Sequence, residues 1–319
     1  MSRHHQHRNS TPDREAEGNH RLLLNYLDKF KNQEDNTDLK TFYQEFCNKK
    51  ELQEPAFRLV QKEGLISGPE AGIEPLQVLC HFLLKLYRST FSQRGSKTNF
   101  IPPSTANEMI RMRVVVLQYL PHFINLHLCT RFGGCADRSR TKFVDAFLLA
   151  IYNTEAAEQQ SNRTSMQSAT MPPNALIRPV AIKVPPLATS STYHDSARLE
   201  SEDKLDQRPS GLTFQFESWA FVDNLTASSR TRVLRLLLQT FNRHIVDMPK
   251  YGLDHFVRAT SRTLERGYGH QVTHAFQPRI HMDPPVLQEL LFSAYICMYN
   301  GFQVCMNCIF LKYLHTYIL

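Results

Sequence analysis

Apolar positions crowd the chain between Arg113 and Asn153. Val114, Val115, Val116, Leu117, Leu120, Phe123, Ile124, Leu126 and Leu128 follow one another with little polar interruption, as in a helix buried on most of its circumference. Pro121 falls inside this run and predicts a kink or a restart, because its ring blocks a hydrogen bond of the helix interior. After a loop at 129–140 that holds Gly133 and Gly134, Phe143, Val144, Phe147, Leu148, Ile151 and Tyr152 return at helical spacing.

The same period flanks this centre. On the N-terminal side it predicts a helix over 20–30, with Leu23, Leu27 and Phe30 on one face. A second helix over 38–47 carries Leu39, Phe42, Tyr43 and Phe46, with Thr37 as its N-cap. Gly64, Gly68, Pro69 and Gly72 mark a loop. Pro75 then suits the first turn of a helix whose buried stripe is Leu76, Leu79, Cys80, Leu83 and Tyr87. The stretch 91–107 reads as a polar connection. On the C-terminal side Val233, Leu234, Leu237, Leu238, Phe241 and Ile245 align until Pro249 stops the pattern. Leu253, Phe256, Val257 and Leu264 follow, ended by Gly267. Asp283 is placed to cap a last helix that opens with Pro284 and Pro285 and carries Val286, Leu287, Leu290, Leu291, Ala294, Tyr295 and Met298. These three helices should stack as an antiparallel array.

Between 154 and 229 the composition turns to Ser, Thr, Gln and Pro and the periodicity fades. Residues 177–187 are β-branched and proline-rich, as an edge strand is. Leu212 to Phe216 alternate as a second strand would, whereas 156–172 and 196–209 read as loops. Two arrangements fit: a small hairpin-like sheet on a helical body, or a long disordered insert, with Trp219 and Phe221 anchoring the return to the core. The expected fold is therefore mainly α, an antiparallel helical array or bundle with a small β element from mid-chain. Residues 1–19 form a disordered tail, 20–301 the helical domain with its loop-rich insert 154–229, and 302–319 an apolar C-terminal segment.

Composition narrows the function. With 319 residues the chain can bury a substantial core, and 42% of them are hydrophobic. Lys and Arg outnumber Asp and Glu by 37 to 30, a formal net charge of +7. That suits an anionic membrane surface or an acidic partner, and falls short of the dense basic stripe of nucleic-acid binding. Seven cysteines, an odd and scattered set, read as buried free thiols in a reducing compartment. No secretory signal or membrane-spanning run is evident, so a cytosolic or peripheral location is expected.

Candidate chemistry is sparse. His4, His5 and His7 lie in the polar tail, where nothing would hold them as ligands. Cys80 and His81 are adjacent and point about 100° apart on a helix, which suits core packing. Gly95-Ser96-Lys97-Thr98 lacks both the glycine before the lysine and the preceding strand of a phosphate loop. Cys305 and Cys308 have zinc-like spacing with His315 nearby, but there is no second pair. No catalytic, metal or cofactor site is expected. Arg258, Arg262 and Arg266 fall at i, i+4 and i+8 opposite an apolar stripe, and form either a solvated face or a contact for acidic residues or anionic headgroups.

Several short blocks occur in a specific order: Leu117-Gln118-Tyr119-Leu120-Pro121, Ala146 to Asn153, Val184-Pro185-Pro186-Leu187, Tyr193-His194-Asp195 and Tyr299-Asn300-Gly301. Together with Cys80-His81 and Tyr87-Arg88-Ser89, the set resembles the hyccin family over roughly 22–301. The signature residues are Leu120, Pro121, Tyr152, Asn153, Tyr193, His194, Asp195, Tyr299, Asn300 and Gly301. The resemblance implies a non-enzymatic subunit of the plasma-membrane complex that contains phosphatidylinositol 4-kinase III alpha. It further implies docking on a tetratricopeptide-repeat scaffold, recruitment with that scaffold to a lipid-anchored partner, and a location in the cytoplasm and at the plasma membrane. After Gly301 the chain departs from the family pattern, as a divergent, truncated C-terminus would. Two alternatives stand beside it: an independent membrane-surface adaptor that uses the basic residues and the apolar tail, and a Cys or Ser hydrolase, for which the sequence holds no nucleophile elbow or other catalytic motif. Tyr193-His194-Asp195 does not support the second, because neighbouring side chains of an extended segment alternate sides.

Overall fold

A computed structural model describes residues 11–32, 39–63, 73–92, 103–132, 142–166, 180–183, 213–216, 219–268, 280 and 282–300. In chain order its helices are α1 (Thr11–Lys31), α2 (Leu39–Asn48), α3 (Lys50–Glu63), α4 (Ile73–Ser92), α5 (Pro103–Leu117), α6 (Leu120–Phe132), α7 (Lys142–Met166), α8 (Ala227–Arg243), α9 (Lys250–Tyr268) and α10 (Pro284–Tyr299). A 3-10 turn at Ile245–Asp247 links α8 to α9. Two short strands, β1 (Val180–Lys183) and β2 (Thr213–Phe216), pair antiparallel with Val180 opposite Phe216. The fold is mainly helical. The chain divides into two units, Met1–Thr154 with Val222–Leu319, and Glu155–Phe221, the second of which holds the strands.

In the larger unit α6 is the axis. From Leu120 to Thr130 every residue except Asn125 is buried, so neighbours are needed on all sides. These are supplied by α3, α8 and α9. The expected break is present: α5 ends at Leu117, Gln118 and Tyr119 form a turn, and α6 restarts at Leu120. Pro121 costs no hydrogen bond there, because first-turn amides have no carbonyl to reach within the helix. A second focus lies among α1, α2 and α4. The Phe82 ring meets Phe30 and Phe46 edge-on, each at 5.0 Å, and Tyr26 at 5.7 Å.

Several expected boundaries move. Helix α3 has no counterpart among the expected elements; Pro55 sits in its interior, yet Leu52, Ala56, Phe57, Leu59 and Val60 are all buried and outweigh one lost backbone bond. Helix α5 begins at Pro103, inside the stretch expected to be a connection. Helix α7 runs on to Met166 instead of yielding to a loop near 156, because Glu155, Ala156, Ala157, Glu158 and Gln159 are good helix formers without an apolar stripe. Phe221 is no anchor: it is 59% exposed, and Val222 and Leu225 are the buried residues there. Asp283 holds the N-cap position of α10, but its carboxylate accepts a hydrogen bond from Thr231 instead of capping the helix amides. Finally α9 packs chiefly on α6, and α10 on α8, so the last three helices do not form a simple stack.

Candidate docking face and the polar centre beneath it

Helix α9 presents two chemically distinct faces. Leu253, Phe256, Val257 and Ala259 are buried, while Arg258 and Arg262 are exposed. Arg266 belongs to the same helix, but its side chain lies outside the described residues. Neither Arg258 nor Arg262 has an ion-pair partner among the described residues. Both are close enough to the buried His122 of α6 to disfavour its protonation.

Beneath this basic face α3, α6 and α9 meet in a polar and aromatic centre. The Phe57 ring is sandwiched between Tyr119 at 4.1 Å and His255 at 3.8 Å, the latter with planes 5° apart. His122 meets both Phe57 and His255 edge-on at 5.5 Å. His255 donates through Nε2 to Glu54 at 3.0 Å, and its Nδ1 accepts from Gln61 at 3.3 Å, an assignment that requires the neutral imidazole. Burial holds His255 below its ordinary pKa despite the attraction of Glu54, and Arg258 works in the same direction as burial. Burial alone would raise the Glu54 carboxyl, but hydrogen bonds and charge from His255 and Arg58 outweigh it and lower its pKa.

Gln53 ties the helices around this centre together. Its amide nitrogen donates to the carbonyls of Phe46 and Cys47, each at 2.9 Å. Its oxygen accepts from Gln118 at 3.2 Å and from the Tyr251 hydroxyl, and its own carbonyl accepts from Tyr119 at 3.2 Å. Gly252 allows α9 this close, since a Cβ there would meet Gln118 atoms at 3.0 and 3.3 Å. Gln53 thus satisfies groups from α2, α9 and the turn before α6 that would otherwise be buried without partners.

A second, partly buried cluster joins α6 to α7. His127 Nδ1 lies 2.6 Å from Asp145 Oδ1, and Arg131 donates to Oδ2 at 2.6 Å. Burial opposes the Asp145 charge, but His127 and Arg131 overcome it and hold the carboxyl below its usual range. A His–Asp pair invites a catalytic reading. Here the His127 side chain is 1% exposed and its Nε2 is sealed in the interior, out of reach of a substrate. The pair acts as a strut. Cys80 is buried, which raises its thiol pKa, and the adjacent His81 is exposed on another side of α4. Among the described residues no group of three or more His, Cys, Asp or Glu is placed to hold a metal. No described helix is long and apolar enough to cross a membrane. His4, His5, His7, Gly95 to Thr98, Cys305, Cys308 and His315 lie outside the described residues.

The signature residues separate by role. Leu120 and Tyr152 are fully buried, and Pro121 is buried in the first turn of α6. Asn153 clasps the backbone of Val222: its Nδ2 donates to the carbonyl at 2.9 Å and its Oδ1 accepts from the amide at 3.1 Å. Asn300 closes α10, its side chain donating to the Ile296 carbonyl at 2.8 Å. Tyr299 is 84% exposed. Tyr193, His194, Asp195 and Gly301 lie outside the described residues.

The polar centre has no signature in the sequence. Gln53 and Glu54 are far along the chain from His255, and no spacing links them to His122. The only available signal is the apolar pattern of α3. Among protein families, the sequence model of the hyccin family matches residues 106–309. The match starts within α5 and continues past Gly301, so both ends lie further along the chain than the short blocks suggest. It takes in well over half of the chain, including α6, α9 and α10. The buried Leu120-Pro121 restart and the Asn153 clasp both fall inside this interval, and the chain belongs to the hyccin family.

Proposed function

We propose that this chain is a non-catalytic subunit of the complex that contains phosphatidylinositol 4-kinase III alpha. In this reading it docks as a preformed helical body on a tetratricopeptide-repeat scaffold. Together they bring the kinase to a lipid-anchored partner at the cytosolic face of the plasma membrane, supporting phosphatidylinositol 4-phosphate synthesis. The observation that carries the reading is the hyccin match over 106–309. The architecture is compatible with it, since a body already ordered around α6 loses little conformational freedom on binding. The face of α9 with Arg258, Arg262 and Arg266 is the docking contact we favour, toward acidic residues of the scaffold. Affinity purification of the full chain from cells, read by mass spectrometry, tests the proposal. Co-recovery of a repeat scaffold and the lipid kinase is expected, and recovery of neither would overturn it.

A further inference from the structure

Helices α3 and α9 both pack on α6 and reach each other through side chains. Tyr251 meets Lys50, Gln53 and Phe57, and one turn later His255 meets Glu54, Phe57 and Gln61. The pairings advance together along both helices, so α3 and α9 run in the same direction here. Arg58, one turn beyond Glu54, therefore stands at nearly the level of Arg258, and both are exposed. The two flank the Glu54–His255 bridge: Arg58 contacts Glu54 from the α3 side, and Arg258 acts on His255 from the α9 side.

Arg58 engages Glu54 through Nε, at 3.4 Å, the long limit of a hydrogen bond. Its two terminal nitrogens have no partner among the described residues. A guanidinium held at Nε offers its outer edge as a fork, the geometry that takes a carboxylate through two parallel hydrogen bonds. Arg258 and Arg262, which have no ion-pair partner among the described residues, lie four residues apart on α9, about 6 Å along the axis. A lipid surface is a poor occupant for such a face. It senses the summed charge, and three arginines beside the carboxylates of Glu54 and Asp254 leave one net positive charge. One charge favours an anionic bilayer only about fivefold. A protein partner instead meets each guanidinium singly, with a carboxylate placed for it.

We propose that the docking face is two helices wide: Arg58 of α3 joins Arg258 and Arg262 of α9 in holding one acidic segment of the partner. The matching segment is a helix with two acidic residues four apart for α9 and a third on its flank for the Arg58 fork. This rests on the docking through α9 proposed above, and adds a contact on a second element. Capture of the repeat scaffold from cells by the full chain, quantified by mass spectrometry, tests it. Arg58→Gln should lower the scaffold recovered per chain by about threefold to fivefold, and Arg58→Glu by about tenfold. Arg58→Gln sets no second carboxylate beside Glu54, so it is the variant that keeps the helical body intact. Full capture by both Arg58 variants, with Arg258→Glu plus Arg262→Glu weakened, would overturn the two-helix face and leave the α9 contact standing. Equal capture by every variant would remove the α9 contact and this one with it, whereas a scaffold missing even from the unsubstituted chain would overturn the complex itself. Vesicles of phosphatidylcholine and phosphatidylserine in equal parts should leave the purified chain in solution. Sedimentation with them that Arg58→Gln abolishes would overturn the proposal in favour of a lipid surface.

Discussion

His122 sits in the interior beside Phe57 and His255, with Arg258 and Arg262 adding positive charge nearby. Burial first, and those neighbours second, push its pKa down to about 3. In the unfolded chain it takes up a proton near pH ~6.5. Between these values the unfolded state binds the extra proton, so the stability conferred by a neutral His122 is complete above ~6.5 and is lost as the pH falls toward 3. His255, Glu54 and Asp145 are shifted downward as well and act with the same sign. Urea unfolding at pH 7 and pH 5 should show His122 alone removing about 2 kcal/mol. His122→Phe should shrink the difference between the two pH values by that amount; an identical difference in both proteins would refute the assignment. None of this is legible in the sequence. His122 is one of fourteen histidines, and its surroundings are made by α3 and α9, which the fold brings together from distant positions.

Asn153 shows what can be read one level up, among the elements. In the sequence it stands only as the end of an apolar stripe and as part of an ordered set of blocks. In the folded chain it fastens α7 to the segment that enters α8, through two hydrogen bonds to Val222. Asn153→Ala strips both partners from a half-buried backbone and should lower stability by about 1–3 kcal/mol. Thermal unfolding would measure it, and Asn153→Asp should recover only the bond accepted from the amide. Elements defined by their own apolar period are legible, including the α5–α6 break at Pro121. Helix α3 is hidden by Pro55, and the end of α7 by a stretch with helix propensity but no stripe. The docking of α9 on α6 depends on Gly252 and Gln53, a matter of tertiary fit that periodicity does not encode.

For the molecule as a whole, the order of short blocks makes the hyccin family legible, although nothing in the chain's chemistry names a partner. The docking proposal is therefore tested through charge on a surface. Arg258→Glu with Arg262→Glu should weaken capture of the repeat scaffold by about tenfold and make it less sensitive to salt. Because neither side chain is buried, the melting temperature should stay within about 2 °C. Unchanged capture would move the contact to another face. The Asn153–Val222 clasp has one more consequence, for engineering. Since positions 153 and 222 are joined by hydrogen bonds, the intervening stretch behaves as an excursion whose two ends are already closed. Doubling the length of such an excursion adds only about 0.6 kcal/mol of closure entropy. A fluorescent domain spliced into it should report on the protein while leaving the helices that surround α6 undisturbed.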